Sequence, residues 1–262
     1  MTGAPIGLIA GSGRLPLLFA EAAERAGRRV VAVAHEGETD RALRAKAWVK
    51  VGQLGRIAEV LREAGVAEAV LCGGIRKPRL FNVRPDWLGL RVLARLRSFG
   101  DDAALRAIAE ALEQEGVRIV SPLPLVPDLL VRRGPIGKRA LSAEQRADAA
   151  TGLSVARALG EADVGQTVVV KGGVVLALEA VEGTDACIAR GGALGDGAVV
   201  VKARKPRQDD RFDVPAVGPG TIDACVAAGC SALAIEADVT LLLDRAELID
   251  KADRAGIAVE GI

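Results

Sequence analysis

The chain has 262 residues, half of them hydrophobic and 26% charged, with 31 glycines and 11 prolines, enough to bury one large core or two modest ones. Thirty-five Lys and Arg against 34 Asp and Glu leave a net charge of +1, and aromatics are 2% with no tyrosine. No overall field therefore draws the chain to nucleic acid, and no stacking platform for single strands is available.

The longest uninterrupted apolar runs, such as residues 172–178, have seven residues, where a spanning helix needs about twenty. The first residues lack the cationic and apolar regions of a leader. These features predict a soluble, cytoplasmic globular protein.

In chain order, residues 6–11 form a buried strand, 16–26 a helix closed by Gly27, and 30–34 a second strand ending at His35, the sole histidine. A helix over 57–64 leads into a third strand at 68–72. Helices over 87–97 and 103–115 precede an apolar run at 117–120. Strands separated by helices of this length imply a parallel sheet with right-handed crossovers. Residues 121–127 carry three prolines, and Arg132-Arg-Gly-Pro-Ile-Gly137 follows, a composition suited to an interdomain connection.

The second half opens with a helix over 143–160. Strands at 167–170 and 174–178 flank Lys171-Gly-Gly173, a hairpin signal. Further strands fall at 198–202, 232–235 and 241–243, with helices near 221–228 and 246–255. The fold class is therefore α/β in two domains with a cleft between them. An N-terminal Rossmann-like domain with a parallel sheet covers 1–130, and a C-terminal mixed α/β domain covers 131–262.

Cys72, Cys187, Cys225 and Cys230 contain no Cys-x-x-Cys pair, so small buried thiols are the plain reading. A lone histidine without a Gly-x-Ser-x-Gly elbow argues against serine-hydrolase chemistry and leaves carboxylates as the general bases.

Four motifs carry candidate chemistry. Gly11-Ser-Gly-Arg-Leu-Pro16 stands where a strand becomes a helix: either a tight turn, or a loop whose backbone meets a phosphate or sugar. It lacks the third glycine and the ribose-binding acid of a dinucleotide fingerprint. Gly100-Asp-Asp102 offers one helix cap and one further carboxylate able to hold a hard cation. In Glu182-Gly-Thr-Asp185, Thr184 or Asp185 caps a helix, or the group forms a small acidic pocket. The densest stretch is 202–213, with Lys202, Arg204, Lys205, Arg207 and Arg211 interleaved with Asp209, Asp210 and Asp213. A solvated loop accounts for many such runs. Here the mixed signs suit phosphoryl chemistry, cations neutralising phosphate oxygens and carboxylates holding a metal or activating water.

Taken in this order, the motifs resemble the LpxI family of UDP-2,3-diacylglucosamine pyrophosphatases of lipid A biosynthesis. The most specific are Glu182-Gly-Thr-Asp-Ala186 and Lys202-x-x-Lys-Pro-x-Gln-Asp-x-Arg-Phe-Asp-x-Pro215. Cys187 and the Gly73-Gly74 pair depart from the family pattern. The resemblance implies a Mg²⁺-dependent hydrolase, with Mn²⁺ as an alternative ion, in which water attacks the α-phosphorus to give UMP and 2,3-diacylglucosamine 1-phosphate.

It further implies Asp213 as the residue whose loss stops catalysis; Lys205, Arg211 and Gln208 are hypothesised beside it as further catalytic residues. Gly11, Gly13, Leu15, Pro16, Thr184 and Lys202 are then expected to bind substrate, and Asp213, Asp209, Asp185 and Asp102 to bind metal. The implied partner is a small glycolipid nucleotide rather than nucleic acid, with transient contact with the inner membrane leaflet and a homodimer as one assembly. Arg76-Lys-Pro-Arg79 and Arg132-Arg133 are candidate leaflet contacts, with scattered solvated charge as the alternative. The rival classes are a non-catalytic lipid or nucleotide-sugar binding module and another nucleotide-sugar enzyme on a Rossmann-like fold.

Overall fold

The computed structural model describes residues 3–75, 85–95, 101–206, 208–212 and 214–262, with the backbone alone at 101–103. Two compact units account for the chain, Met1–Pro127 with Asp209–Asp213, and Asp128–Gln208 with Val214–Ile262.

The first unit runs β1 (Ile6–Ala10), α1 (Leu15–Arg25), β2 (Val30–His35), β3 (Ala47–Val49), α2 (Leu54–Glu63), β4 (Glu68–Cys72), α3 (Trp87–Arg95), α4 (Asp101–Gln114) and β5 (Arg118–Ile119). Its five strands are all parallel, in the order β3-β2-β1-β4-β5. Every residue of β1 is buried, because helices cover both faces of such a sheet and leave no polar side. Strand order reverses between β1 and β4, which opens a crevice at the carboxyl ends of those strands. β3 was not expected, since three residues are too few for a period to show. Phe212, nearly a hundred residues downstream of α4 in sequence, joins the core of this unit with Ile57, Leu61, Val92 and Leu112.

The second unit runs β6 (Gly134–Pro135), α5 (Ala143–Glu161), β7 (Thr167–Lys171), β8 (Val174–Leu178), α6 (Thr184–Gly192), β9 (Val199–Lys202), β10 (Ala216–Val217), α7 (Pro219–Ala227), β11 (Ala232–Ile235), β12 (Leu241–Leu242), α8 (Arg245–Ala255) and β13 (Ala258–Gly261). Its mixed sheet has the order β6-β13-β11-β9-β7-β8, with β9, β11 and β13 parallel and β10 paired to β12 outside it. Strand alternation separates the two faces. Val168, Val170, Val199 and Val201 belong to the core clusters containing Ala149 and Ala156 of α5. Val169, Val200, Leu233 and Ile235 pack with Ile188, Ile222 and Leu248 of α6, α7 and α8.

α5 opens with a capping box, Ser142 Oγ accepting from Gln145 N while Gln145 Oε1 accepts from Ser142 N. The β7–β8 hairpin turns through Gly172 and Gly173, at φ 56° and 76°, and the buried Asp148 carboxylate of α5 accepts from both of their amides. β13 had no sequence signal because Glu260 interrupts it. That carboxylate is satisfied by Arg146 and by the amide of Leu141.

Candidate functional site

In the first unit, the loop after β1 packs backbone to backbone on the loop after β4. Gly11 N donates to Cys72 O at 2.8 Å, and both Ser12 N and Ser12 Oγ donate to Gly74 O. A β-carbon on Gly11 would strike the Gly74 carbonyl, and one on Gly73, at φ +83°, would strike that of Ser12. Chain packing by itself therefore requires glycine at 11. Gly13, at φ +89°, faces open space, and Leu15 and the buried Pro16 begin α1 without a side-chain cap.

Beside this loop lies a network that the sequence reading passed over. Thr39 Oγ1 donates to Ala10 O at 2.6 Å and accepts from His35 N, and His35 Nδ1 donates to the same Ala10 carbonyl. Burial lowers the His35 pKa, opposed by the Ala10 contact and by Glu38.

Of the charged loop, residues 209–212 pack within the first unit. Asp209 receives a two-pronged contact from Arg211 (Nε to Oδ1 at 3.0 Å, Nη2 to Oδ2 at 2.8 Å) and a third cationic contact from Arg106. Arg211 lies over Phe212 and within 3.6 Å of Glu113. The Arg211 guanidinium, with smaller help from Arg106, holds the Asp209 carboxyl below the usual carboxylate range.

The rest of that loop packs within the second unit. Lys205 Nζ donates to Asp163 at 2.8 Å, Gln208 Oε1 accepts from Lys205 N, and Gln208 O accepts from Arg204. Glu236, at the end of β11, accepts from Arg204 N and from Arg157.

At the end of β9, Lys202 pairs in register with Thr167 of β7 and is only 8% exposed. Its Nζ donates to Thr184 Oγ1 at 3.4 Å. Thr184 Oγ1 in turn donates to Glu179 Oε1 at 2.9 Å, and Glu179 is equally buried. Glu179 Oε2 accepts from Gln166 N, and Thr167 Oγ1 lies 3.3 Å from Thr184 Oγ1. Gln166 Oε1 is buried with no partner among the described residues.

Two expectations at α6 are corrected. Gly183, at φ 85°, holds its N-cap position, with no side-chain cap, because the Thr184 hydroxyl is turned to Glu179 and Asp185 is exposed in the first turn. Glu179 was missed because it lies before the motif in sequence and reaches it only through the fold.

Among the described residues, no three His, Cys, Asp or Glu side chains gather as a metal site. Asp213, Arg207, Gly100 and residues 76–79 lie outside the described residues, as does the side chain of Asp102. All four cysteines are buried and unpaired. Burial pushes the Cys187 thiol up to about 12 and Cys230 to about 11, leaving them unreactive as nucleophiles. No helix among the described residues is long and apolar enough to cross a membrane.

Family models match both halves of the chain, the LpxI N-terminal domain over residues 5–129 and the LpxI C-terminal domain over 132–260. A protein of Caulobacter vibrioides named UDP-2,3-diacylglucosamine pyrophosphatase LpxI is 36% identical over 98% of this chain and 97% of its own length. Among solved structures, the biotin carboxylase subunit of pyruvate carboxylase aligns with 64% of this chain and 35% of its own, at 15% identity and a TM-score of 0.25. At that score the likeness carries no argument.

Proposed function

This chain belongs to the LpxI family, and we propose that it hydrolyses the pyrophosphate of UDP-2,3-diacylglucosamine to UMP and 2,3-diacylglucosamine 1-phosphate. The observation that carries the reading is 36% identity over 98% of the chain to a relative of that name, with both domain models matching. In the proposed step a water oxygen bonds to the α-phosphorus. The bond from that phosphorus to the bridging oxygen breaks, and the bridging oxygen leaves with the sugar phosphate.

The cluster on β9 and α6 suits such a substrate. Lys202 is a buried cation held by Thr184, and Thr184 is oriented by Glu179. A cation kept from water is worth more against developing phosphate charge than one in solvent. Lys205 is proposed to neutralise phosphate oxygens by exchanging its present partner Asp163, and Arg211 to do so through its remaining guanidinium N–H groups while Asp209 holds it in place. Gln208 shapes the turn between them through its contacts with Lys205 and Arg204. The amides around Gly13 and Leu15, at the start of α1, are proposed as donors to phosphate or uridine oxygens.

The proposed ion is Mg²⁺, or Mn²⁺ in its place. The described carboxylates do not fit it: Asp209 is taken up by two guanidinium groups, and no three His, Cys, Asp or Glu side chains gather among the described residues. No step above passes through the ion. Asp213 and Asp102 remain the proposed ligands, Asp213 also positioning the water. UMP release from UDP-2,3-diacylglucosamine, measured with Mg²⁺ and with EDTA for wild type and Asp213→Ala, tests the reading. Metal-dependent release that disappears in the variant is expected. No release from folded wild type overturns it.

A further inference from the structure

Among the described residues of the first unit, α3 presents an exposed apolar face that the proposed chemistry leaves unexplained. Its Leu88, Gly89 and Val92 are buried, while Trp87 is 75% exposed, Leu90 49% and Leu93 42%. At about 100° per residue, Leu93, Leu90, Ala94 and Trp87 share an outward sector of about 120°, and the exposed Arg91 and Arg95 border it on one side. The helix holds no acid. Asp86, just before it, is turned inward, accepting from Gly89 N and Arg56 N.

The sequence around α3 is equally one-sided. Residues 75–97 contain seven Lys and Arg and a single acid, Asp86, in a chain whose total is nearly balanced. An exposed tryptophan and leucines bordered by arginine is the composition of a helix lying in a bilayer interface, and local positive charge complements an anionic leaflet.

We propose that the outward face of α3 seats the protein on an anionic lipid surface, Trp87, Leu90 and Leu93 entering the interface while Arg91 and Arg95 meet lipid phosphates. The proposal rests on the lipid-substrate reading above, since a diacylated substrate resides in a membrane. It adds the surface by which the enzyme reaches that membrane.

The test is sedimentation of the full chain with phosphatidylcholine vesicles, with and without phosphatidylglycerol, at low and high salt. Fluorescence of a Trp48→Phe variant, in which Trp87 is the sole tryptophan, follows the same mixtures. Pelleting and a blue shift are expected only with the anionic vesicles and to weaken with salt. In Trp87→Ser/Leu90→Ser, checked for folding by circular dichroism, the bound-to-free ratio should fall about tenfold or more. UMP release from detergent-dispersed substrate should stay at the wild-type level in that variant and fall when the substrate is embedded in vesicles.

Equal pelleting by wild type and variant overturns the proposal. So does a concentration-dependent dimer that this variant abolishes while vesicles leave the wild type in solution, because a second copy then covers the face. Absence of UMP release from both proteins in detergent would sink the hydrolase reading instead, and the vesicle result is read without it.

Discussion

The Thr184 hydroxyl stands between an acid and a base: it donates to Glu179 Oε1 at 2.9 Å and receives Lys202 Nζ at 3.4 Å. One hydroxyl carries one proton, so the two contacts fix its direction. Glu179 is thereby linked to Lys202 through one hydroxyl, though it touches no substrate atom in the proposed reaction. Thr184→Val should cost about 1–3 kcal/mol of stability, by leaving buried partners unsatisfied. Thr184→Ser should restore most of it. Chemical denaturation of both variants, alongside UMP release, separates the structural loss from a loss of turnover.

Asp209 locks Arg211 by a two-pronged contact. Because Asp209 is a positioning residue in this arrangement, Asp209→Asn should lower kcat/KM while keeping the fold, with a stability loss of about 1 kcal/mol or less for a partly exposed pair. Wild-type kinetics in a folded Asp209→Asn protein would show that Arg211 needs no such anchor.

His35 provides a pH-dependent term of known sign. Its folded pKa lies below the ordinary 6.5, burial being the main cause. As pH falls through about 6.5, the unfolded chain takes up a proton that the folded ring refuses. Stability should therefore be full above this range, decline below it, and level off once the folded ring also protonates. Thermal melts from pH 8 to 5 should show the decline in wild type and a smaller one in His35→Gln, the chain then having no histidine.

The two glycine loops of the first unit should respond differently to a methyl group. Gly73→Ala forces a β-carbon into the Ser12 carbonyl at a positive φ, so a large loss of stability or of soluble protein is expected. Gly13→Ala meets no atom and should cost only about 1–2 kcal/mol for its left-handed backbone. Raised KM in a folded Gly13→Ala protein would mark close approach of the substrate to that loop. Unchanged KM would leave the loop a turn and nothing more.

Much of this molecule was written locally. The buried runs at 6–10 and 68–72 announced a parallel sheet, because strands covered on both faces have no polar side to alternate. Gly172-Gly173 announced a hairpin because few other residues take its positive φ. The motif at 202–213 was visible as a charge pattern alone, and it carried the family resemblance.

Other features came into being only on folding. Glu179 becomes part of the Lys202 cluster because β7, β8 and β9 are neighbours in one sheet and α6 begins above them. Phe212 belongs to the core of the first unit although the segments flanking 209–213 on both sides lie in the second, and Arg106 meets Asp209 across 103 positions of chain. Gly11 is required by Gly74, 63 residues away. Periodicity records whether a residue is buried. Which buried or charged groups meet is set by strand order and by the closure of long loops, and no short window of sequence contains either.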